Sequence, residues 1–117
     1  MASGSNPTDA VNYSQLTSAT TPEPIGKVIM FAASNAPTNY LICDGTSYSR
    51  TTYSLLFAVI GTSFGAADVN SFNVPDCRGL FPRGWTNTSS NIYADPDKLT
   101  RTALYTGGAT GNNIGSY

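Results

Sequence analysis

The apolar positions of this chain gather in short runs between residues 27 and 85. Lys27-Val28-Ile29-Met30-Phe31-Ala32 is short, apolar and β-branched, and predicts a strand. A loop with Pro37 follows over 34–39, and Tyr40-Leu41-Ile42-Cys43 predicts a second strand. Asp44-Gly45 then marks a turn, because Gly accepts the positive φ that tight turns require. The order reads strand, loop, strand, turn, with antiparallel pairing. Over residues 49–60 the period changes. Tyr53, Leu56, Phe57 and Ile60 stand at i, i+3, i+4 and i+7, the single apolar face of a helix. Ser49 is the expected N-cap and Gly61 the expected stop. Such a short helix must pack on the strands to persist. Residues 62–71 read as a loop with Phe64 and Val69, and Phe72-Asn73-Val74 as a short strand ending at Pro75-Asp76. The expected core is Val28, Met30, Leu41, Tyr53, Leu56, Phe57, Ile60, Phe72, Val74 and Phe81.

The flanks have a different character. Residues 1–24 are rich in Ser, Thr, Asn and Pro, and read as an extended arm or linker with Val11, Tyr13 and Leu16 as its docking anchors. After Trp85 the chain turns to Thr, Ser, Asn and Gly, with Ile92, Leu99, Leu104, Ile114 and three tyrosines as its apolar groups. A monomer would not easily stabilise such a tail, so order over 86–117 is expected from neighbouring chains. The division is therefore an arm over 1–24, a domain over 25–85 and a tail over 86–117. The fold class is α+β, mainly β: a small twisted antiparallel sheet, one helix over about 49–60, and extended arms at both ends.

Length allows one domain, since the chain has 117 residues. Charge is scarce: 11% of residues are charged, against about 25% in an ordinary soluble domain. Ser, Thr and Asn, 13, 15 and 10 residues, fill the gap. A polar, nearly uncharged surface suits extracellular and virion proteins. Lys27, Arg50, Arg78, Arg83, Lys98 and Arg101 form no patch in sequence, and the net charge is −1, so nucleic acid is not an expected partner. No run approaches the ~20 apolar residues of a membrane span. No basic and apolar leader opens the sequence, so release by lysis is the expected route out of a cell.

Candidate chemistry is thin. The sequence has no His, so neither a Ser-His-Asp triad nor a Cys-His pair can form. Asp44 and Asp76 each lie beside a turn or a Pro, where a carboxylate accepts backbone N–H bonds rather than acting as an acid or base. Asp95-Pro96-Asp97 has half the look of a calcium loop but lacks its further oxygen ligands, and reads as a turn. Gly107-Gly108-Ala109-Thr110-Gly111 lacks the Lys and the helix of a phosphate loop. Cys43 and Cys77 cannot make a zinc site alone. They could join in a disulfide, or Cys43, beside Leu41 and Ile42, could be a buried thiol. No catalytic residue, metal site or cofactor is expected, and the chain is not expected to be an enzyme.

The informative pattern is a series. Gly26-Lys27-Val28-Ile29-Met30-Phe31-Ala32 leads to Tyr40-Leu41-Ile42-Cys43-Asp44-Gly45, then to Ser49-Arg50-Thr51-Thr52-Tyr53-Ser54-Leu55-Leu56-Phe57. Ile60-Gly61, Phe64-Gly65, Phe72-Asn73-Val74-Pro75-Asp76 and Arg78-Gly79-Leu80-Phe81-Pro82-Arg83-Gly84 come next in order. Each piece alone is weak; the ordered series is specific, and it resembles the phage tail collar family of short tail fibres and tail adhesins. The motif residues are Cys43, Asp44, Gly45, Arg50, Tyr53, Pro75, Asp76, Arg78 and Gly79. Their expected role is structural. An Arg78 guanidinium can bond the Asp76 carboxylate or turn carbonyls and pin a change of direction, while Gly79 and Gly84 permit close approach or positive φ.

The resemblance implies a virion protein of a tail or fibre, extracellular after release. It implies a homo-oligomer, a homotrimer as in related tail fibres, and other virion tail proteins as partners. The stretch from Arg101 to Tyr117 is similar to the segment after the collar in many relatives, where His-x-His metal ligands and a receptor-binding head come next. With no His here, that ligand set maps onto nothing in this sequence. Residue 77, often aliphatic in the family, is Cys. The leading function is virion structure. A host-surface glycan or receptor-binding module, with Tyr93, Tyr105 and Tyr117 stacking on sugar rings, is one rival, and a secreted bacterial collar-like protein is another.

Overall fold

A long antiparallel ribbon runs through the centre of this computed structural model, which describes residues 10–12, 23–87 and 92–117. Its regular part pairs β4 (Ser47–Ser49) with β5 (Ser71–Asn73), placing Tyr48 opposite Phe72. The same register continues beyond both strands. The Arg50 amide donates to Asn70 O, Val74 N to Thr46 O, Gly45 N to Pro75 O, and Cys77 N to Cys43 O, with Asp44 bridging Asp76. Pro75 has no N–H to give, and at that step of the ladder it serves only as acceptor. A regular antiparallel ladder bonds alternate pairs, yet the 45/75 and 46/74 pairs are both bonded. The shift of phase falls at Gly45, whose φ is +76°.

A second sheet has the order β2 (Val28–Ile29), β1 (Ala10–Asn12), β3 (Tyr40–Ile42), and both pairings are antiparallel. The two strands expected to pair with each other are thus separated by a strand from the N-terminal flank. Ala10 faces Ile29 on one side and Ile42 on the other, and Val11 faces Val28 and Leu41. Val11 is fully buried. Its three-residue strand is too short and too polar in its surroundings to signal itself by periodicity. Tyr13 and Leu16, the other expected anchors, lie outside the described residues.

The helix is shorter than its pattern. α1 spans Ser54–Ile60, because Ser49 ends β4 instead of capping a helix. The Ser49 Oγ accepts from the amides of Thr51 and Thr52, both at 3.3 Å, and the Tyr53 amide donates to Ser49 O. The chain makes one non-helical turn there, through two β-branched residues with weak helix preference, before the helix starts. Tyr53 occupies the N-cap position with no side-chain cap bond. At the other end Gly61, with φ +54°, donates to Phe57 O and stops the helix where expected.

The core lies between α1 and the two sheets. Val11, Cys43, Leu56, Phe72 and Val74 are fully buried, and Ile25, Leu41, Tyr48, Tyr53, Phe57, Ile60 and Cys77 pack against them. The Phe57 and Phe72 rings stand 5.4 Å apart, and Tyr53 meets Tyr48 edge-on at 5.1 Å. Three expected core residues are outside it: Val28 is 48% exposed, Met30 49% and Phe81 89%. β2 is an edge of its sheet and the chain leaves the ribbon before residue 81, so apolar character at these positions does not report burial here. For residues 86–117, read from the sequence as ordered by neighbouring chains, the structure supplies partners within the chain over 101–117. Ala66 N donates to Thr106 O, Ala109 N to Ser63 O, and Thr102 and Tyr117 exchange two backbone bonds.

Truncation of Leu56 to Ala should cost about 2–5 kcal/mol, since its whole side chain is removed from a closed core. Phe81→Ala, at an exposed site, should change the stability of the folded subunit by no more than ~0.5 kcal/mol. Urea unfolding followed by circular dichroism at a concentration where the chain is monomeric checks both.

Candidate functional site

The motif residues scattered along the sequence meet at one end of the ribbon. Register explains it: residues 43–45 lie opposite 75–77, so Cys43-Asp44-Gly45 and Pro75-Asp76 become neighbours although some thirty positions separate them. Cys43 points into the core and Pro75 is buried beside it in the ladder. Asp44 uses Oδ1 to accept the Thr46 amide at 3.0 Å, closing a local turn. Asp76 is held on three sides by Arg78, whose amide, Nε and Nη2 reach its two oxygens at 3.2, 2.8 and 2.7 Å. This two-pronged grip is the strong geometry for a guanidinium and a carboxylate. Gly79 has φ +69° with open space around it, so it is required by its turn and not by close packing.

Tyr105, a residue of the tail, enters this end of the ribbon. Its hydroxyl donates to Asp76 Oδ2 at 2.5 Å. Its ring occupies the space where a Cβ on Gly45 would be, and its own Cβ lies 2.7 Å from where a Cβ on Gly65 would be. Both glycines are buried and both have positive φ, +76° and +116°. They are small because Tyr105 is there. Asn73 joins the two glycine loops: its Nδ2 donates to Gly45 O at 2.8 Å and its amide to Gly65 O at 2.9 Å. The site is therefore a socket, with two glycines as walls, Asn73 as the brace and the Asp76–Arg78 pair as the catch. Sequence reading places Tyr105 among sugar-stacking candidates; instead it is committed to Asp76. Asn73 and Gly65 carry no sign of this role beyond their positions in the motif series.

Arg50 and Tyr53 work at the opposite end. Arg50 Nε donates to Ser71 O at 2.7 Å and Nη2 to Asp68 O at 3.3 Å, while the guanidinium lies 4.6 Å from the centre of the Phe57 ring. It ties the start of the helical excursion to its return. A second Arg–Asp grip orders the tail: Arg101 Nε and Nη2 reach Asp95 at 2.8 and 3.1 Å, and Asp95 also accepts the Asp97 amide. The Asp95 carboxylate is thus used in a turn. Among the described residues no group of three or more His, Cys, Asp or Glu could hold a metal ion.

Electrostatics follow the geometry. The Arg78 hydrogen bonds hold the Asp76 carboxyl at about 2, against the burial that pushes it up, with the Tyr105 hydroxyl and the Arg78 amide helping. Tyr105 is raised above the ordinary phenol value, first by donating to Asp76 and then by burial. Asp95 is likewise held at about 2, chiefly by Arg101. Locked to guanidinium groups, both carboxylates stay ionised near neutrality.

Replacing Gly45 with Ala should destabilise the chain by about 1–3 kcal/mol, through the positive φ and the collision with Tyr105. The cost should shrink in a Tyr105→Ala background, where only the backbone strain remains; a double-mutant cycle by denaturant unfolding measures the difference. Tyr105→Phe should cost about 1–2 kcal/mol, for one bond to a charged acceptor. The pH dependence has a definite sign. Asp76 and Asp95 have folded values below their unfolded ones, so their contribution is complete above about pH 4 and is lost as pH falls towards 2. For Tyr105 the folded value lies above the unfolded one, so its contribution holds below about pH 10 and is lost on further rise. Near-ultraviolet circular dichroism across both windows checks the signs.

The socket and ribbon coincide with a known sequence family. Residues 26–82 match the model of the Phage Tail Collar Domain, a span that holds every motif residue of the ribbon ends, though not Tyr105. Among curated proteins the chain is similar to Protein RhiB of Rhizobium leguminosarum bv. viciae, 35% identical over 79 residues. That alignment covers 64% of this chain and 32% of RhiB, so the chain spans about a third of the length of that relative. No solved structure matches the chain. The central part of this protein, residues 26–82, is a phage tail collar domain.

Proposed function

We propose that the chain is a structural module of a phage tail fibre or a related virion fibre, that it assembles through contacts between copies as a homotrimer, and that it has no enzymatic activity. The collar domain match carries the virion part of this reading. The contacts between copies are supported by the segment that leaves the domain. Phe81, Ile92, Tyr93 and Leu99 are 89%, 88%, 78% and 81% exposed, on two legs joined by the bond from Arg83 Nη2 to Tyr93 O. Single exposed apolar groups are ordinary on a monomer, whereas a run of large ones on one excursion marks an interaction surface. Three-fold symmetry is the implication of the family resemblance. Other tail proteins are the further partners of such a module, and the assembled particle is its place.

A second reading has one observation in its favour. RhiB is a protein of a bacterium, and a collar domain in a bacterial protein outside a virion would keep the same fold. Peptide mass spectrometry of purified tailed particles from the producing strain separates the two: the chain is a stoichiometric component under the first reading and absent under the second.

Assembly is tested by multi-angle light scattering. The full chain should have three times its 12.3 kDa mass, and the Phe81→Asp, Ile92→Asp, Leu99→Asp triple variant should fall to one copy while keeping its unfolding midpoint as a monomer. A full chain that stays at one copy at the highest soluble concentration contradicts the assembly claim.

A further inference from the structure

Where the tail returns to the domain it encloses an open pocket of about 430 Å³ beside the end of α1. Its lining comes from three places: Thr62 and Ser63 after the helix, Trp85 at the exit from the domain, and Gly108, Ala109 and Asn113 of the tail. None of these is charged, and Gly107 and Ile114, which complete the lining, add no charge either. The volume is that of a small-molecule site, within the range of about 300–1,000 Å³.

The pocket is held open by its own bonds. The Ala109 amide donates to Ser63 O at 2.8 Å, so one wall is tied to the other. Gly115 lies so close to the Ser63 backbone that no side chain fits there. The Trp85 indole N–H donates to Asn112 O at 3.1 Å, which fixes the ring while leaving the residue 49% exposed. Asn113 spends its Nδ2 on Thr110 O at 2.6 Å, and its Oδ1 has no partner among the described residues. The Thr62 and Ser63 hydroxyls are in the same position.

We infer that this pocket is a binding subsite for a neutral saccharide, with Trp85 stacking on one face of a pyranose ring and Thr62, Ser63 and Asn113 bonding its hydroxyls. The assignment rests on the combination of groups. An indole whose N–H is already engaged offers its apolar faces and nothing else. Hydroxyls and an amide oxygen match the mixed donors and acceptors of a sugar. A lining without Lys or Arg gives an anion no attraction, and a wet, open mouth does not reward a purely apolar ligand. The lining shares no residue with the Asp76–Arg78 catch, although its Gly108 amide donates to Tyr105 O, and its indole stands on the first leg of the 81–99 excursion.

Trp85 is the sole tryptophan of the sequence, so the intact protein reports on its own pocket. The full chain is titrated with methyl α-D-glucopyranoside, N-acetyl-D-glucosamine, maltotriose and N-acetylneuraminic acid, following indole fluorescence and the indole N–H resonance. At least one neutral sugar should bind saturably with a dissociation constant on the order of millimolar, as a small ligand at an open site does. Binding of that sugar, followed by calorimetry or backbone resonances, should weaken about tenfold or more in Trp85→Ala and in Asn113→Ala. It should be unchanged in Val69→Ala, an exposed apolar residue outside the lining. Retention of the native circular dichroism spectrum by each variant separates lost binding from lost folding. Three results would overturn the inference: neutral sugars that leave the indole signals unmoved, binding of the acidic sugar alone, or an indole in the assembled protein that a neutral quencher cannot reach, which would place the pocket between copies.

Discussion

Tyr105 is the residue on which the two halves of this protein meet. Its ring fills the room left by Gly45 and Gly65, and its hydroxyl rests on the Asp76 carboxylate that Arg78 already holds. Each part constrains the others. The carboxylate stays ionised because the guanidinium is there, an ionised carboxylate is a strong acceptor for a phenol, and the phenol can approach only where two neighbours have no side chain. The tail is poor in apolar groups and has little hydrophobic drive to fold. It acquires order from this one anchored aromatic and from the backbone bonds that tie the segment around it to Ala66 and Ser63.

That arrangement divides the molecule by task. The ribbon, the helix and the central strand of the second sheet make a small closed core around Val11, Cys43, Leu56, Phe72 and Val74. The docked part of the tail, from 101 onward, completes the surface of the domain and creates the pocket beside Trp85. Between them the chain leaves the domain and comes back, and on this excursion stand the three most exposed large apolar side chains of the described residues, Phe81, Ile92 and Leu99. A module built this way holds its own shape while a separate segment leaves large apolar side chains exposed. No helix of the described residues is long and apolar enough to cross a membrane.

Sequence periodicity reveals the elements that obey it. The helix stop at Gly61, the strand of Tyr40–Ile42 and the strand at Phe72 follow from apolar spacing and punctuation. The start of the helix does not, because Ser49 can cap a turn as readily as a helix, and only the β4–β5 register decides between them. Val28, Met30 and Phe81 look like core residues in one dimension but lie at an edge or outside the domain. The central strand Ala10–Asn12 is hidden in a polar flank, where three residues give periodicity nothing to count. The collar motifs are legible as an ordered series; their convergence is not, since it depends on the pairing of 43–45 with 75–77. Tyr105 is the least legible of all. Its role is identified by the absence of a Cβ at two distant glycines, and a sequence cannot show which side chain takes that space.

From Tyr105 onward the tail is bonded to its own domain within one chain. Amide hydrogen exchange on the monomeric chain, at high dilution, tests this at the Ala66 and Ala109 amides, which bond to Thr106 O and Ser63 O across the junction. Protection of both within about tenfold of the Val74 and Cys77 amides of the ribbon is the predicted result. Exchange of both at the rate of an unstructured peptide, with the ribbon still protected, would contradict it.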